Sequence, residues 1–268
     1  MNAQVTSDEI RIERRATALW VFLTRPESFN ALTPHSIAGL EAAMSEVETD
    51  MTIRSLVITG TGKAFCAGAD LKAVLASGTG SNAAQVTSRF LRQVGSTFTH
   101  LESLRVPTIA AINGIALAGG LELMLCCDIA VASSTAQLGD AHANFGQIPG
   151  GGGTRRLPER IGTSRAKYLM FTGQNIAAAR AMEWGLVNDV CDPDLLVTKV
   201  QELTDQFERK SSLVLERMKT LVNAAENSSA ADALEAELLL SDRHMSAYDR
   251  NEGLAAFTEK RPAAYLGR

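Results

Sequence analysis

Apolar and polar residues alternate along EIRIE at 9–13, the pattern of a strand with one buried face. ATALWVFLTR at 16–25 predicts a second strand, ended by Pro26. The spacing then lengthens to that of a helix over LTPHSIAGLEAAMSEVETD at 32–50, with Pro34 suited to a first helical turn. IRSLVITG at 53–60 predicts a third strand, followed by a glycine-bearing loop at 60–70 and a long helix at 81–104. VPTIAAINGIAL at 106–117 predicts a buried strand running into a turn, and GGLELMLCCDIAVAS at 119–133 a short buried helix and then a strand. Beyond Gly153 the pattern is helical, in segments punctuated by Gly or Pro: 154–162, 164–173, 177–185, 194–210, 211–227, 231–247 and 251–262. The chain therefore divides into an α/β core over 1–190 and a helical C-terminal region over 191–268. With no long linker between them, the helices should pack on their own core or on a neighbouring subunit. Strand–helix alternation alone leaves the type of α/β architecture open.

The 268 residues, 46% hydrophobic and 21% charged, suffice for one large or two small domains with a sizeable core. A net charge of −4 provides no broad attraction to nucleic acid or an anionic membrane. No apolar run approaches the roughly 18 residues that cross a bilayer, and the first twenty residues hold no apolar core of a secretion signal. The four cysteines, Cys66, Cys126, Cys127 and Cys191, form no CxxC pair, so neither a disulfide framework nor a metal site is expected. A cytoplasmic protein is the expectation.

Two segments can carry chemistry. In Phe65-Cys66-Ala67-Gly68-Ala69-Asp70-Leu71-Lys72 the small residues from Ala67 to Ala69 leave the backbone open to close approach by a ligand atom. In the segment from Asn113 to Leu123, glycines open a helix, whose first N–H groups lack internal partners. Two such donors on a thioester oxygen would stabilise an enolate. Each segment is equally readable as a tight turn with small packing residues. Neither is a phosphate-binding loop, since Lys63 precedes Ala64 rather than Ser or Thr, and neither has GxGxxG spacing.

Taken together, TRPESFNALT at 24–33, GKAFCAGADLK at 62–72, INGIALAGGLELMLCCD at 112–128, IPGGGGTRRLPERIG at 148–162, ARAMEWGLVNDV at 179–190 and EGLAAFTEKRPAAYLG at 252–267 resemble the enoyl-CoA hydratase/isomerase (crotonase) superfamily. The resemblance runs from Thr24 nearly to the C-terminus. It implies a spiral of repeated ββα units followed by a helical C-terminal trimerisation region, in a homotrimer or dimer of trimers. It implies an oxyanion hole at the N–H groups of Ala69 and Gly119. It places Ala67, Gly68, Asp70, Leu71 and Lys72 along the thioester and pantetheine path, and Phe257 and Lys260 near the coenzyme A nucleotide. Arg25 lies where a phosphate contact is plausible; a solvated turn charge is the alternative. The substrate implied is an acyl-CoA, with coenzyme A arriving as part of it and no further cofactor or metal.

Hydratases of this family pair two glutamates across a water. Glu122 matches the first, three residues beyond Gly119 and so one helical turn from that donor. The place of the second is held by His142, with Asp140 two residues before it as a group able to orient it. Histidine serves as base when neutral and as acid when protonated, so a Glu/His pair can still add water; His142 could instead only shape the acyl pocket. The leading reading is syn hydration of a 2,3-enoyl-CoA to a 3-hydroxyacyl-CoA. The alternatives are an isomerase using Glu122 alone, a β-diketone-type C–C hydrolase using His142, and an acyl-CoA-binding subunit without turnover. Gly151 stands where a relevant C–C hydrolase carries an acid, which weakens that reading. PGGGG at 149–153 reads as a structural turn, Cys66 as a packing residue, and residues 73–95 as a wall of the acyl pocket. His35, His100 and His244 fall on predicted amphipathic helices, facing solvent or the core edge.

Overall fold

The alternation in the first segment becomes an antiparallel ribbon. β1 (Thr6–Ser7) pairs with β2 (Ile10–Arg15), and β2 with β3 (Ala18–Leu23). This computed structural model describes residues 6–7, 9–76 and 82–268. All six positions of β3 are buried, because both of its faces are covered. Leu19, Val21 and Leu23 enter the main core, and Ala18, Trp20 and Phe22 enter a second cluster across the sheet, as a period of two requires. α1 (Pro34–Thr49) starts at a capping box: Thr33 Oγ1 accepts the N–H groups of His35 and Ser36, and Ser36 Oγ accepts that of Thr33.

Three similar units follow. Each contributes one strand to the large sheet, one to a small sheet, and then helix. The first is β4 (Ser55–Gly60), β5 (Ala64–Cys66), α2 (Leu71–Ala76) and α3 (Ala83–Ser103). The second is β6 (Thr108–Ile112), β7 (Ile115–Leu117) and α4 (Gly119–Leu125). The third is β8 (Ile129–Ser133), β9 (Gln137–Gly139), a 3-10 turn at His142–Phe145 and α5 (Gly153–Ile161). α6 (Thr163–Thr172), β10 (Ile176–Ala177), α7 (Ala178–Glu183) and β11 (Asp189–Cys191) complete the sheets. Their orders are β1-β2-β3-β4-β6-β8-β11 and β10-β9-β7-β5. From β3 to β11 the neighbours in the large sheet are parallel.

The loop expected at 60–70 thus contains β5, and the turn after β6 contains β7. Of the expected acyl-pocket wall at 73–95, positions 77–81 lie outside the described residues.

Residue 190 falls within β11, and α8 (Leu196–Glu208) lays Leu196 and Val200 on the cluster of Trp20, Val57, Ile109 and Val131. α9 (Ser212–Ala225) is pinned to the core by Lys219, whose Nζ donates to Val106 O (3.1 Å) and Asp128 Oδ2 (2.8 Å). α10 (Ala230–His244) and α11 (Tyr248–Glu259) follow. Buried Asp249 accepts the Leu266 and Gly267 N–H groups, folding the last residues back onto α11. Among the described residues no helix is long and apolar enough to cross a membrane.

Candidate active site

Ala69 sits between two backbone bonds that belong to its neighbours. Leu32 N–H donates to Gly68 O (2.6 Å), and Asp70 N–H donates to Leu32 O (2.9 Å), a parallel bridge centred on Ala69. A residue so placed turns its own N–H away from the partner strand. The register is set by TRPESFNALT. Asn30 accepts the Arg25 N–H and donates Nδ2 to Thr61 O (2.9 Å) and Ala64 O (2.7 Å), while Phe29 O accepts the Ala67 N–H. Asn30 is therefore a positioning residue for the Ala69 loop. The segment's match to a family motif was the only sequence signal of that role.

Gly119 opens α4 after Ala118, which is held at φ +49°. A Cβ at Gly119 would stand 3.7 Å from the Ala69 nitrogen, so the start of α4 lies beside the Ala69 amide. Among the described residues, neither N–H has an acceptor. The glycine behind it, Gly120, lets α4 lie directly on β5: a Cβ there would fall 1.9 Å from Cys66 O.

Glu122 lies one turn along α4 and is only 3% exposed. Its Oε1 accepts the N–H groups of Gly151 and Gly153, both at 2.8 Å. Burial pushes its carboxyl above the usual range, and the two glycine N–H groups and His142 hold back part of that rise. The glycine run at 149–153, expected to be a structural turn, is thus also the carboxylate's cradle. Arg156 braces it, donating to Gly151 O (2.8 Å) and to both oxygens of Glu102. Four successive glycines, more than one tight turn needs, were the available signal.

His142 follows Ala141, held at φ +59°. Its Nε2 is 3.8 Å from Glu122 Oε2, and its Nδ1 is 3.1 Å from Asp140 Oδ2. Burial works to lower the imidazole pKa, but Asp140, with Glu122 adding, outweighs it, so the ring keeps its proton to higher pH than an ordinary histidine.

These groups share a cleft of about 520 Å³ whose walls include Ala67, Ala69, Asp70, Leu71, Lys72, Gly119, Glu122 and His142. Phe90, Leu91 and Val94 from α3 add an apolar side, and Phe145 and Ile148 stand exposed at its edge. Residues 20 to 75 positions apart in sequence are brought together here.

Other expected contacts lie elsewhere. Gly68 is behind the wall, against Ala118. Arg25 is not a solvated charge: it pairs with Asp70 (2.9 Å), donates to Ala31 O, and does not line the cleft. Asp70 caps the start of α2 through the Ala73 N–H, and that bond and Arg25 together lower its pKa against burial. Phe257 is 84% exposed on α11, Lys260 ends that helix, and neither lines the cleft of its own chain. Cys66 is buried, and burial pushes its thiol up to about 12, which suits packing rather than nucleophilic attack.

Two unused N–H donors beside a carboxylate and an imidazole can polarise a carbonyl and exchange protons with a bound water. The family model "Enoyl-CoA hydratase/isomerase" matches residues 13–268. A protein named crotonyl-CoA hydratase, from Syntrophomonas wolfei, is 32% identical over 97% of this chain and 99% of its own. A short-chain-enoyl-CoA hydratase from Clostridium acetobutylicum is 33% identical over 95% of this chain and 96% of its own. The crystal structure of enoyl-CoA hydratase from Bacillus anthracis superposes with a TM-score of 0.92 at 34% identity, covering 97% of this chain and all of that one.

Proposed function

The chain belongs to the enoyl-CoA hydratase/isomerase family and has the crotonase fold, and from that premise we propose that it adds water, syn, across the double bond of a 2,3-enoyl-CoA. The observation that carries this reading is the approach of Glu122 Oε2 to His142 Nε2, 3.8 Å, beside the two free amides of Ala69 and Gly119. A water touching both side chains fits that separation. Glu122, whose Oε1 is already held by two N–H groups, takes a proton as the water oxygen attacks Cβ. The electron pair of the double bond moves onto the thioester oxygen, where the N–H groups of Ala69 and Gly119 receive it. Protonated His142 delivers a proton to Cα, and transfer of the Glu122 proton to the ring restores the starting state. Opposite protonation states on the pair are what hydration needs, and the raised imidazole pKa favours them.

Hydration is redox-neutral, and the amide donors supply the electrophile, so no metal or redox cofactor takes part; coenzyme A enters with the substrate. Ala67, Leu71 and Lys72 flank the thioester and pantetheine. A cytoplasmic homotrimer or dimer of trimers fits the exposed apolar residues Met218 and Val222 of α9 and Leu234 and Leu238 of α10. In such an assembly Phe257 and Lys260 serve the nucleotide in a neighbouring copy's site. The isomerase and C–C hydrolase readings have less support, because the similar proteins above are named hydratases and Gly151 bears no acid.

The test is the absorbance of the conjugated thioester on mixing with crotonyl-CoA. Wild type should consume it and form 3-hydroxybutyryl-CoA, and Glu122→Gln should be slower by about 100- to 10,000-fold. A chain inert to crotonyl-CoA and longer 2-enoyl-CoAs that instead converts 3-enoyl-CoAs would overturn the hydratase reading.

A further inference from the structure

Asp140 follows β9 and is 1% exposed, and it does not line the cleft. Its Oδ1 accepts the backbone N–H of His142 at 3.3 Å. Among the described residues its Oδ2 has no aligned hydrogen-bond partner, and neither has the equally enclosed Nδ1 of His142; these two atoms face each other at 3.1 Å. Two enclosed acceptors held at that distance would repel, so a proton belongs between them. With that proton on Nδ1, Nε2 becomes the atom that exchanges protons on the Glu122 side. The charged groups acting on the ring are Asp140 from its own turn and Glu122 from α4. The end of α6 meets the turn through the Gly173 carbonyl, which accepts from Asn144 Nδ2 at 2.9 Å.

We propose that Asp140 is a positioning residue that fixes the tautomer and orientation of His142, making Asp140, His142 and Glu122 one relay for proton transfer. The inference rests on the reading of His142 as the group that protonates Cα. Asp140 supplies what the second glutamate of a two-carboxylate site would not require: an anchor that tells one ring nitrogen from the other. Asp140→Asn keeps the shape and removes the charge.

The chain has only four histidines, so nitrogen NMR of the imidazole rings in the full-length protein can follow His142, with His142→Gln supplying its assignment. In wild type the neutral ring should carry its proton on Nδ1. In Asp140→Asn the ring should lose its proton at lower pH, and the alkaline limb of kcat/KM should move down with it. The kcat for crotonyl-CoA should fall on the order of 10- to 100-fold with KM little changed, a part of what a positioned acid–base group contributes. An Nε2–H tautomer in wild type overturns the proposal without any variant having to fold. An unmoved pH profile in folded Asp140→Asn, where His142→Gln is crippled, overturns it while leaving the role of His142 standing. Wild-type kcat in His142→Gln overturns that role and this proposal together.

Discussion

Gly120→Ala should destabilise this protein, although a glycine-to-alanine change inside a helix ordinarily stabilises it by roughly 0.4–1 kcal/mol. The position is buried in α4 with no left-handed backbone, so local conformation would welcome alanine. The obstacle is tertiary. An ideal Cβ would lie 1.9 Å from Cys66 O, 2.6 Å from Cys66 C and 2.9 Å from Cys66 Cβ. Two of those atoms are backbone of β5, so no side-chain rotation relieves the contact. α4 and β5 must part by more than an ångström, an overpacking that costs typically about 1–3 kcal/mol and outweighs the propensity gain. The same separation moves the Gly119 N–H relative to that of Ala69, because Gly119 opens α4 and Ala69 lies three residues beyond the end of β5. A misplacement of about 1 Å at a reacting group can cost about 100-fold in rate. Gly119→Ala is the control for stability: its nearest neighbours are at 3.4–3.7 Å, ordinary contact. Thermal unfolding and crotonyl-CoA turnover should be measured for both variants. Each kcal/mol corresponds to roughly 2–4 °C in a domain of this size. A Gly120→Ala protein that melts at or above wild type with unchanged kcat would refute the reasoning.

The cysteines and one histidine give two more tests. Cys66 and Cys127 are buried with thiols pushed up to about 12 by burial, and burial also raises buried Cys126 well above an ordinary thiol, whereas Cys191 is part-exposed. Iodoacetamide on native protein near pH 8 should therefore label Cys191 alone, as read by peptide mass; early labelling of Cys66 would contradict its burial. His100 bridges Glu41 and Glu48, each at 2.9 Å; burial works against its charge, but the two carboxylates outweigh it and raise its pKa. A raised folded value means stabilisation that is full below the unfolded value of about 6.5 and is lost as pH rises through the folded one. His100→Gln should then lower the melting temperature more at pH 6 than at pH 9, and an equal loss at both would argue against the ion pairs.

Much of the architecture was legible in local pattern. The alternating run at 9–13 and the continuous apolar runs after it became β2, β3, β4, β6 and β8, and the helical spacings became α1, α3 and the C-terminal helices. What pattern missed were β1, β5, β7, β9, β10 and β11, of two or three residues each. Strands so short have no periodicity of their own and exist because neighbours offer them an edge. The division at residue 190 marks a change in sequence texture, but β11 and α8 still take part in the sheet and its covering.

The candidate site divides in the same way. Residue identity and family motif were enough to single out Ala69, Gly119, Glu122 and His142. Their chemistry depends on contacts that local sequence does not encode. The Ala69 N–H is free because Leu32 occupies its neighbours, and Glu122 is held by amides 29 and 31 positions away. Arg25 is tied to an aspartate 45 positions away, and Phe257 and Lys260 lie outside their own chain's cleft. Sequence by itself determined the longer strands and helices and singled out the candidate residue types, since these follow from short-range spacing and motif. Only the tertiary structure decided which hydrogen-bonding groups remain free and which titratable groups face each other, since desolvation and pairing arise only when distant segments pack.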